Sequence, residues 1–184
     1  MILASGSPQR SAILTQLGVA FTVEVSNVDE LTAGPPEEVV LENAFRKAGA
    51  VAAGHEELVL GCDTVVALGG TIYGKPADAG QAREILALLS GRTHRVLSGL
   101  CLIEGGRARS AAAVTSVTFR TLTPAMLDWY VGLGEWEGRA GGYAIQGRGA
   151  ALVTEIEGDY LNVVGLPVGA LIDLAPELIF GSGR

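Results

Sequence analysis

Two hydrophobic patterns alternate along this chain of 184 residues. Short continuous apolar runs are typical of buried strands, and apolar residues three or four positions apart are typical of helices. The runs predict strands at residues 2–4, 21–25, 58–68, 96–103 and 111–119, followed by one last strand. The spacings predict helices at residues 8–17, 36–53, 79–89 and 124–133, with another after Pro167. This alternation predicts an α/β protein.

The segment between the strands predicted at 96–103 and 111–119 contains the pair Gly105 and Gly106. Paired glycines suit the turns with positive φ that close antiparallel hairpins. The sheet is therefore expected to be mixed, not purely parallel. The chain shows no internal repeat, low-complexity segment or obvious linker, so we expect one compact domain over residues 1–184.

Asp63 interrupts the apolar strand predicted at residues 58–68. Aspartate is depleted in strands, and a carboxylate removed from water costs several kcal/mol unless a cation or hydrogen bonds compensate it. Folding alone gives no reason for this residue, which makes it a candidate for chemistry. The alternative is that the strand ends at Cys62 and that Asp63 belongs to a turn or a cap.

The turn before the first predicted helix combines several groups that bind anions. Ser7 is placed as the N-cap and Pro8 as the first helical residue, so free backbone N–H groups lie beside Ser5, Ser7 and Arg10. Phosphate is the natural ligand, and Arg10 adds charge-assisted hydrogen bonds. An ordinary helix cap with a surface arginine is the alternative.

Two loops carry further candidates. Lys75 stands between Gly74 and Pro76, which restrict its backbone, and we interpret it as a phosphate or leaving-group contact or else as a solvated lysine. The glycine-rich stretch 134–149 allows close backbone approach to a ligand, and its Arg139 and Gln146 supply donors. Gln146 could read a base edge; a lid without ligand specificity is the alternative.

Carboxylates suited to a divalent cation are scattered through the first 63 residues. Asp29, Glu30, Glu42 and Asp63 could bind Mg²⁺ or Mn²⁺ together with phosphate oxygens. A solvated surface is favoured for Asp29 and Glu42, whereas Glu30 stays open.

Composition narrows the function classes. The net charge of −7 argues against a surface built for nucleic-acid backbones. No apolar run approaches the roughly 20 residues of a membrane span, and the first residues lack the pattern of a signal peptide, so we expect a cytoplasmic protein without a membrane partner. Cys62 and Cys101 lie in apolar runs without metal-binding spacing and are interpreted as buried side chains.

Six motifs in order carry a family resemblance that covers nearly the whole chain: L-A-S-G-S-P-Q-R, C-D-T-V-V, G-K-P, L-S-G-R-T-H, G-R-A-G-G-Y-A-I-Q-G and G-D-Y-L-N-V-V-G-L-P. The chain resembles the Maf family of nucleoside triphosphate pyrophosphatases. The resemblance implies a mixed α/β fold of the Maf/Ham1 type with two lobes around a cleft, commonly a homodimer. It also implies hydrolysis of a nucleoside triphosphate to the monophosphate and pyrophosphate with a divalent metal, Mg²⁺ or Mn²⁺.

The same resemblance implies roles for single residues. Asp63 resembles the proton acceptor that prepares water for attack on the α-phosphorus. The residues that resemble phosphate contacts are Ser5, Ser7, Arg10, Lys47 and Lys75. Glu30 and Asp63 resemble a metal-binding pair.

Substrate preference is implied by three positions. Thr64 and Gln146 resemble the branch of the family that acts on dTTP and UTP, including modified pyrimidines, and not the branch that acts on 7-methyl-GTP. Gln9 departs from the pyrimidine branch, which usually carries two arginines after its Ser-Pro. Three alternatives stay open: an enzyme of the 7-methyl-GTP branch, a nucleotide-binding regulator of cell division with little turnover, and a phosphatase that releases orthophosphate.

Overall fold

The computed structural model describes residues 1–181. Its strands are β1 (Ile2–Leu3), β2 (Thr22–Val23), β3 (Val59–Leu68), β4 (Thr71–Tyr73), β5 (Thr93–Glu104), β6 (Arg107–Phe119) and β7 (Val153–Glu157). Its α-helices are α1 (Pro8–Gln16), α2 (Pro36–Ala52), α3 (Ala79–Leu89), α4 (Pro124–Val131), α5 (Tyr160–Val164), α6 (Val168–Leu174) and α7 (Glu177–Phe180).

The strands form one mixed sheet in the order β2-β1-β3-β5-β6-β7, with β4 paired to β3. β1 is parallel to both β2 and β3, whereas the pairs β3–β5, β5–β6 and β6–β7 are antiparallel. Gly105 and Gly106 close the β5–β6 hairpin with φ values of 53° and 76°. The predictions of a mixed α/β fold and of this glycine turn are confirmed.

Helix α2 covers one face of the sheet. Because side chains alternate along a strand, the odd-numbered residues of β3 point toward this helix. Gly61 and Gly99 allow the helix to approach closely, since a Cβ on either would lie 2.2 Å from the carbonyl oxygen of Ala44 or Val40, respectively. The register places Gly99 opposite Asp63, so the close approach occurs beside that carboxylate.

The other face carries two separate apolar clusters, which agree with a fold of two lobes. In the first, α1 and α6 pack on Leu60 and Leu100. In the second, α3 and α4 pack on Val66 and Val96. Between them the same face of β3 and β5 carries Thr64 and Ser98, whose hydroxyl oxygens are 2.8 Å apart.

The edge of β3 is open between its two short neighbours. β1 pairs with β3 at Val59 and Leu60, and β4 pairs with β3 from Val66 to Leu68. Over residues 61–65, β3 therefore has β5 on one side, and no strand within residues 1–181 pairs with its other side. Side chains from both faces of the sheet can reach this open edge.

Several elements differ from the sequence-based expectation. The strand predicted at residues 21–25 is shortened to β2, where the side chains of Val23 and Val25 are about half exposed. The hairpin strands are longer than predicted, and β4, α5 and α7 were missed because elements of three to five residues carry no measurable periodicity. Within residues 1–181, no helix has the length and apolar character needed to cross a membrane.

Replacing Gly99 with alanine should destabilise the protein, because the added methyl group would meet the backbone of α2. We expect the free energy of unfolding to fall by about 1–3 kcal/mol or more. Gly49→Ala is the matched control: Gly49 lies within α2, a methyl group there would have open space around it, and alanine is the better helix former by about 0.5–1 kcal/mol. Urea denaturation of both variants tests the expectation, which equal stabilities would contradict.

Candidate active site

A cleft of about 670 Å³ lies at the open edge of β3. Its walls come from the turn at residues 4–10, the loop at residues 25–32, α2, the centre of β3, and the glycine-rich stretch after α4. This volume is within the roughly 300–1,000 Å³ typical of small-molecule sites. Every site residue predicted from the sequence lines the cleft: Ser5, Ser7, Gln9, Arg10, Glu30, Lys47, Asp63, Thr64, Lys75 and Gln146.

Asp63 lies in the middle of β3 and its side chain is bound on both oxygens. Lys47 Nζ donates to Oδ1 at 2.7 Å, and Asn43 Nδ2 donates to Oδ2 at 2.9 Å. Both donors come from α2, where a spacing of four residues places them on one face. The cation and hydrogen bond that a buried carboxylate requires are therefore present. The alternative in which the strand ends at Cys62 is wrong.

Lys47 also joins Asp63 to Glu30. Its Nζ lies 2.6 Å from Glu30 Oε1, and the lysine is only 7% exposed. Asn43 holds the adjacent loop, because its Oδ1 accepts from Leu31 N at 2.7 Å and its Nδ2 donates to Leu31 O at 3.0 Å. Sequence reasoning missed Asn43. A polar residue four positions before Lys47, on the buried face of a predicted helix, was the available signal.

The carboxylates of Glu30 and Asp63 both meet the ammonium group of Lys47, at 2.6 and 2.7 Å from its Nζ. Both offer the hard oxygen donors that Mg²⁺ and Mn²⁺ prefer. Among residues 1–181, no group of three or more histidine, cysteine, aspartate or glutamate side chains is arranged to hold a metal. A divalent cation at Glu30 and Asp63 stays a prediction, and it would take its other ligands from water and substrate oxygens.

Arg10 lies beside Thr64, on the face of β3 opposite the one that carries Asp63. Its Nη1 donates to Ser5 Oγ at 2.8 Å, Nη2 to Thr64 Oγ1 at 3.2 Å, and Nε to Gly165 O at 2.9 Å. The residue is 8% exposed, so the surface-arginine alternative is wrong. No carboxylate in the described part of the chain pairs with Arg10. A buried guanidinium without an anionic partner favours an anion in the cleft.

The carbonyl group that receives Arg10 is fixed by a buried polar network. Asp159 caps α5 by accepting from Leu161 N at 2.8 Å. Asn162 Nδ2 then donates to Val96 O and to Thr115 Oγ1, both at 3.0 Å. This network fastens α5, and with it Gly165 at its end, to β5 and β6. It accounts for the G-D-Y-L-N-V-V-G motif, for which sequence reasoning assigned no role to single residues.

The turn that carries Arg10 has the predicted geometry. Ser7 caps α1 with its hydroxyl oxygen, which accepts from Arg10 N, and Pro8 is the first helical residue. Ser7 Oγ in turn donates to Gln9 Oε1 at 3.2 Å. Lys75 and Gln146 lie on other parts of the cleft lining and are both exposed.

The glycine-rich stretch is anchored by two tyrosines. Tyr130 OH accepts from Ala144 N at 2.9 Å, and Tyr143 OH lies 2.8 Å from His94 Nε2. Burial raises the pKa of Tyr130 to about 12 and lowers the pKa of His94 to about 4. The rings of His94, Phe119 and Tyr143 meet edge to face. Residues 143–145 are consequently buried, and this part of the stretch belongs to the core.

The fold and the cleft together define an α/β protein that presents a hydrogen-bonded carboxylate and an uncompensated buried arginine to a small anionic ligand. The family model described as "Maf-like protein" matches residues 1–178. The chain belongs to this family, as its motifs predicted.

Relatives are similar over almost their whole length. The dTTP/UTP pyrophosphatase of Moorella thermoacetica is 47% identical over 186 residues, which cover 98% of this chain and 95% of that protein. The dTTP/UTP pyrophosphatase of Symbiobacterium thermophilum is 45% identical over 180 residues, which cover 96% and 93%. Among solved structures, the Ham1 protein of Staphylococcus aureus matches with a TM-score of 0.47 and 17% identity, over 64% of this chain and 70% of that one.

The buried His94 should make stability depend on pH. Its folded pKa of about 4 lies below the ordinary value of 6.5, so below pH 6.5 the unfolded chain binds a proton that the folded protein does not. We expect the free energy of unfolding to drop by about 2 kcal/mol from this source between pH 7 and pH 5. His94→Gln removes the titrating group, so denaturant curves at both pH values should show a smaller drop in the variant. Equal drops would contradict the expectation.

Proposed function

We propose that this chain is a nucleoside triphosphate pyrophosphatase that acts on dTTP and UTP, including modified pyrimidine nucleotides, and releases the monophosphate and pyrophosphate. The observation that carries the proposal is that the buried guanidinium of Arg10 and the buried carboxylate of Asp63 line the same cleft. The names of the relatives, dTTP/UTP pyrophosphatase, support the substrate class.

The triphosphate binds at the turn before α1. Ser5 and Ser7 offer hydroxyl groups, the first turn of α1 offers the backbone N–H of Gln9, and Arg10 and Lys75 offer positive charge. Because Arg10 is already held by three hydrogen bonds, little side-chain entropy is lost when it meets a phosphate. These contacts hold the chain of phosphates in line for attack.

Asp63 acts as the general base. Its carboxylate accepts a proton from water as the water oxygen forms a bond to the α-phosphorus, and the bond from that phosphorus to the bridging oxygen breaks to release pyrophosphate. Lys47 and Asn43 fix the orientation of the carboxylate through one bond to each oxygen. A carboxylate has about four lone-pair positions, so one stays open for the water.

Glu30 and Asp63 would hold the divalent cation, Mg²⁺ or Mn²⁺. When bound, the cation neutralises charge on the phosphate oxygens. Lys47 holds the two carboxylates together through its own ammonium group, and its charge lies near the reacting phosphate.

The base is selected by Thr64, Gln146 and Gln9. Gln146 has an exposed amide on the cleft that can donate to and accept from a pyrimidine edge. The hydroxyl group of Thr64 accepts from Arg10 and is hydrogen-bonded to Ser98. These bonds link base selection to phosphate binding. A homodimer and a cytoplasmic location stay predictions.

A substrate panel tests the reaction and the preference together. The purified protein is incubated with Mg²⁺ or Mn²⁺ and dTTP, UTP, CTP, 5-methyl-UTP, GTP or 7-methyl-GTP, and pyrophosphate is separated from orthophosphate. We expect pyrophosphate, formed fastest from dTTP and UTP. Release of orthophosphate would contradict the reaction, turnover of 7-methyl-GTP alone would contradict the preference, and nucleotide binding without turnover would favour a regulator.

Asp63→Asn should lower kcat by on the order of 10²-fold or more, because the amide cannot accept the proton and binds a cation poorly. Asp173→Asn is the matched control, since Asp173 is an exposed carboxylate outside the cleft. Thermal unfolding of both variants tests whether the fold persists. An Asp63→Asn variant that retains wild-type turnover would remove this residue from the mechanism.

A further inference from the structure

Arg139 is a cation of the cleft to which the proposed mechanism assigns no role. It lines the cleft, as do Lys75 and Arg10. Neither Arg139 nor Lys75 forms an ion pair with any residue from 1 to 181. The Nε of Arg139 is buried and finds no hydrogen-bond partner within that range. A buried guanidinium N–H without a hydrogen-bond acceptor costs free energy unless a ligand accepts its hydrogen bond.

The backbone next to Arg139 is fastened onto the turn that carries Lys75. Gly141 N donates to Gly74 O at 3.0 Å. Gly141 has φ of 69°, and a Cβ there would lie 2.7 Å from a methyl carbon of Val66. A Cβ on Gly142 would lie 3.2 Å from Pro76. These close contacts hold the start of the glycine-rich stretch against the Gly74–Pro76 turn, so the backbone segments that carry Arg139 and Lys75 are neighbours.

The positive charges of Arg139 and Lys75 have no carboxylate partner among residues 1–181. Lys47 is shared between Glu30 and Asp63, so its positive charge is already matched within the protein. Arg10, Lys75 and Arg139 are cations of the cleft without a carboxylate partner among residues 1–181. The more negative a ligand is, the better it matches this arrangement, and the terminal phosphates of a triphosphate are its most densely charged part.

We infer that Arg139 is a substrate-binding residue that, together with Lys75, holds the pyrophosphate portion of the nucleotide from a part of the cleft lining other than the turn of Arg10. The inference rests on the proposed function for the identity of the ligand. An arginine suits this position because its planar group can donate two hydrogen bonds to a phosphate, where lysine offers a point charge. Its role is distinct from that of Gln146, which faces the base.

The test is binding of two products by Arg139→Gln, Arg139→Lys and the wild type. Isothermal titration with inorganic pyrophosphate, and separately with dTMP, is done in buffer containing Mg²⁺. We expect Arg139→Gln to weaken pyrophosphate binding by about tenfold or more while dTMP binding stays within about twofold. The pyrophosphate affinity of Arg139→Lys should lie between those of the wild type and Arg139→Gln, since lysine keeps the charge but loses the second hydrogen bond.

Arg148→Gln is the matched control. Arg148 is an exposed arginine of the same glycine-rich stretch and does not line the cleft, so its loss should leave both affinities unchanged. Thermal unfolding of each variant reports on the fold. If Arg139 had a merely structural role, its replacement would weaken the binding of both pyrophosphate and dTMP. That result would overturn the inference.

Two further outcomes separate this inference from the proposed function. If the wild type releases pyrophosphate from dTTP and Arg139→Gln binds pyrophosphate as tightly as the wild type, only the role of Arg139 is wrong. If the wild type has no turnover but its pyrophosphate affinity depends on Arg139, the inference holds and the proposed function is wrong. Weakened binding of dTMP alone would place Arg139 at the nucleoside end and would overturn the inference.

Discussion

The site depends on the open edge of β3 between its pairings with β1 and β4. Along a strand, consecutive side chains point to opposite faces, so two neighbours rarely serve one pocket. At an open edge they can, because the cleft reaches around the strand. Asp63 therefore meets α2 on one face while Thr64 meets Arg10 on the other, and both line the same cleft. A longer β1 or β4 would cover this edge with backbone and close the site.

Charge compensation around Asp63 explains how the fold tolerates the site. The carboxylates of Asp63 and Glu30 both lie within hydrogen-bonding distance of the ammonium group of Lys47. Asn43 completes this cluster by donating to Asp63. Breaking a buried pair by removing one member is costly, typically about 3–5 kcal/mol, because the other charge stays behind. The cluster is thus locked internally. Arg10 is satisfied only by neutral oxygens, which leaves its charge available to a ligand.

Local signals in the sequence predicted much of this architecture. The Ser7 cap and the turn at Gly105 depend on a few adjacent residues, and both are confirmed. Asp63 could be found because a carboxylate conflicts with an apolar strand. Lys47 came only from the family resemblance, and the open edge of β3 could not be predicted, because both depend on which distant segments pair. Asn43 lies between these cases, visible as a polar residue on an apolar helix face.

Fixing the position of the Arg10 guanidinium costs the protein some stability. Its Nε binds a carbonyl group 155 residues away in sequence, and that carbonyl is set by Asn162 and Thr115 inside the sheet. Burying apolar residues of similar volume would cost less free energy than burying this polar network. A carbonyl acceptor has a direction, however, whereas an apolar contact has none. The network therefore exchanges some stability for a fixed guanidinium, and a fixed donor is what a phosphate in a defined orientation requires.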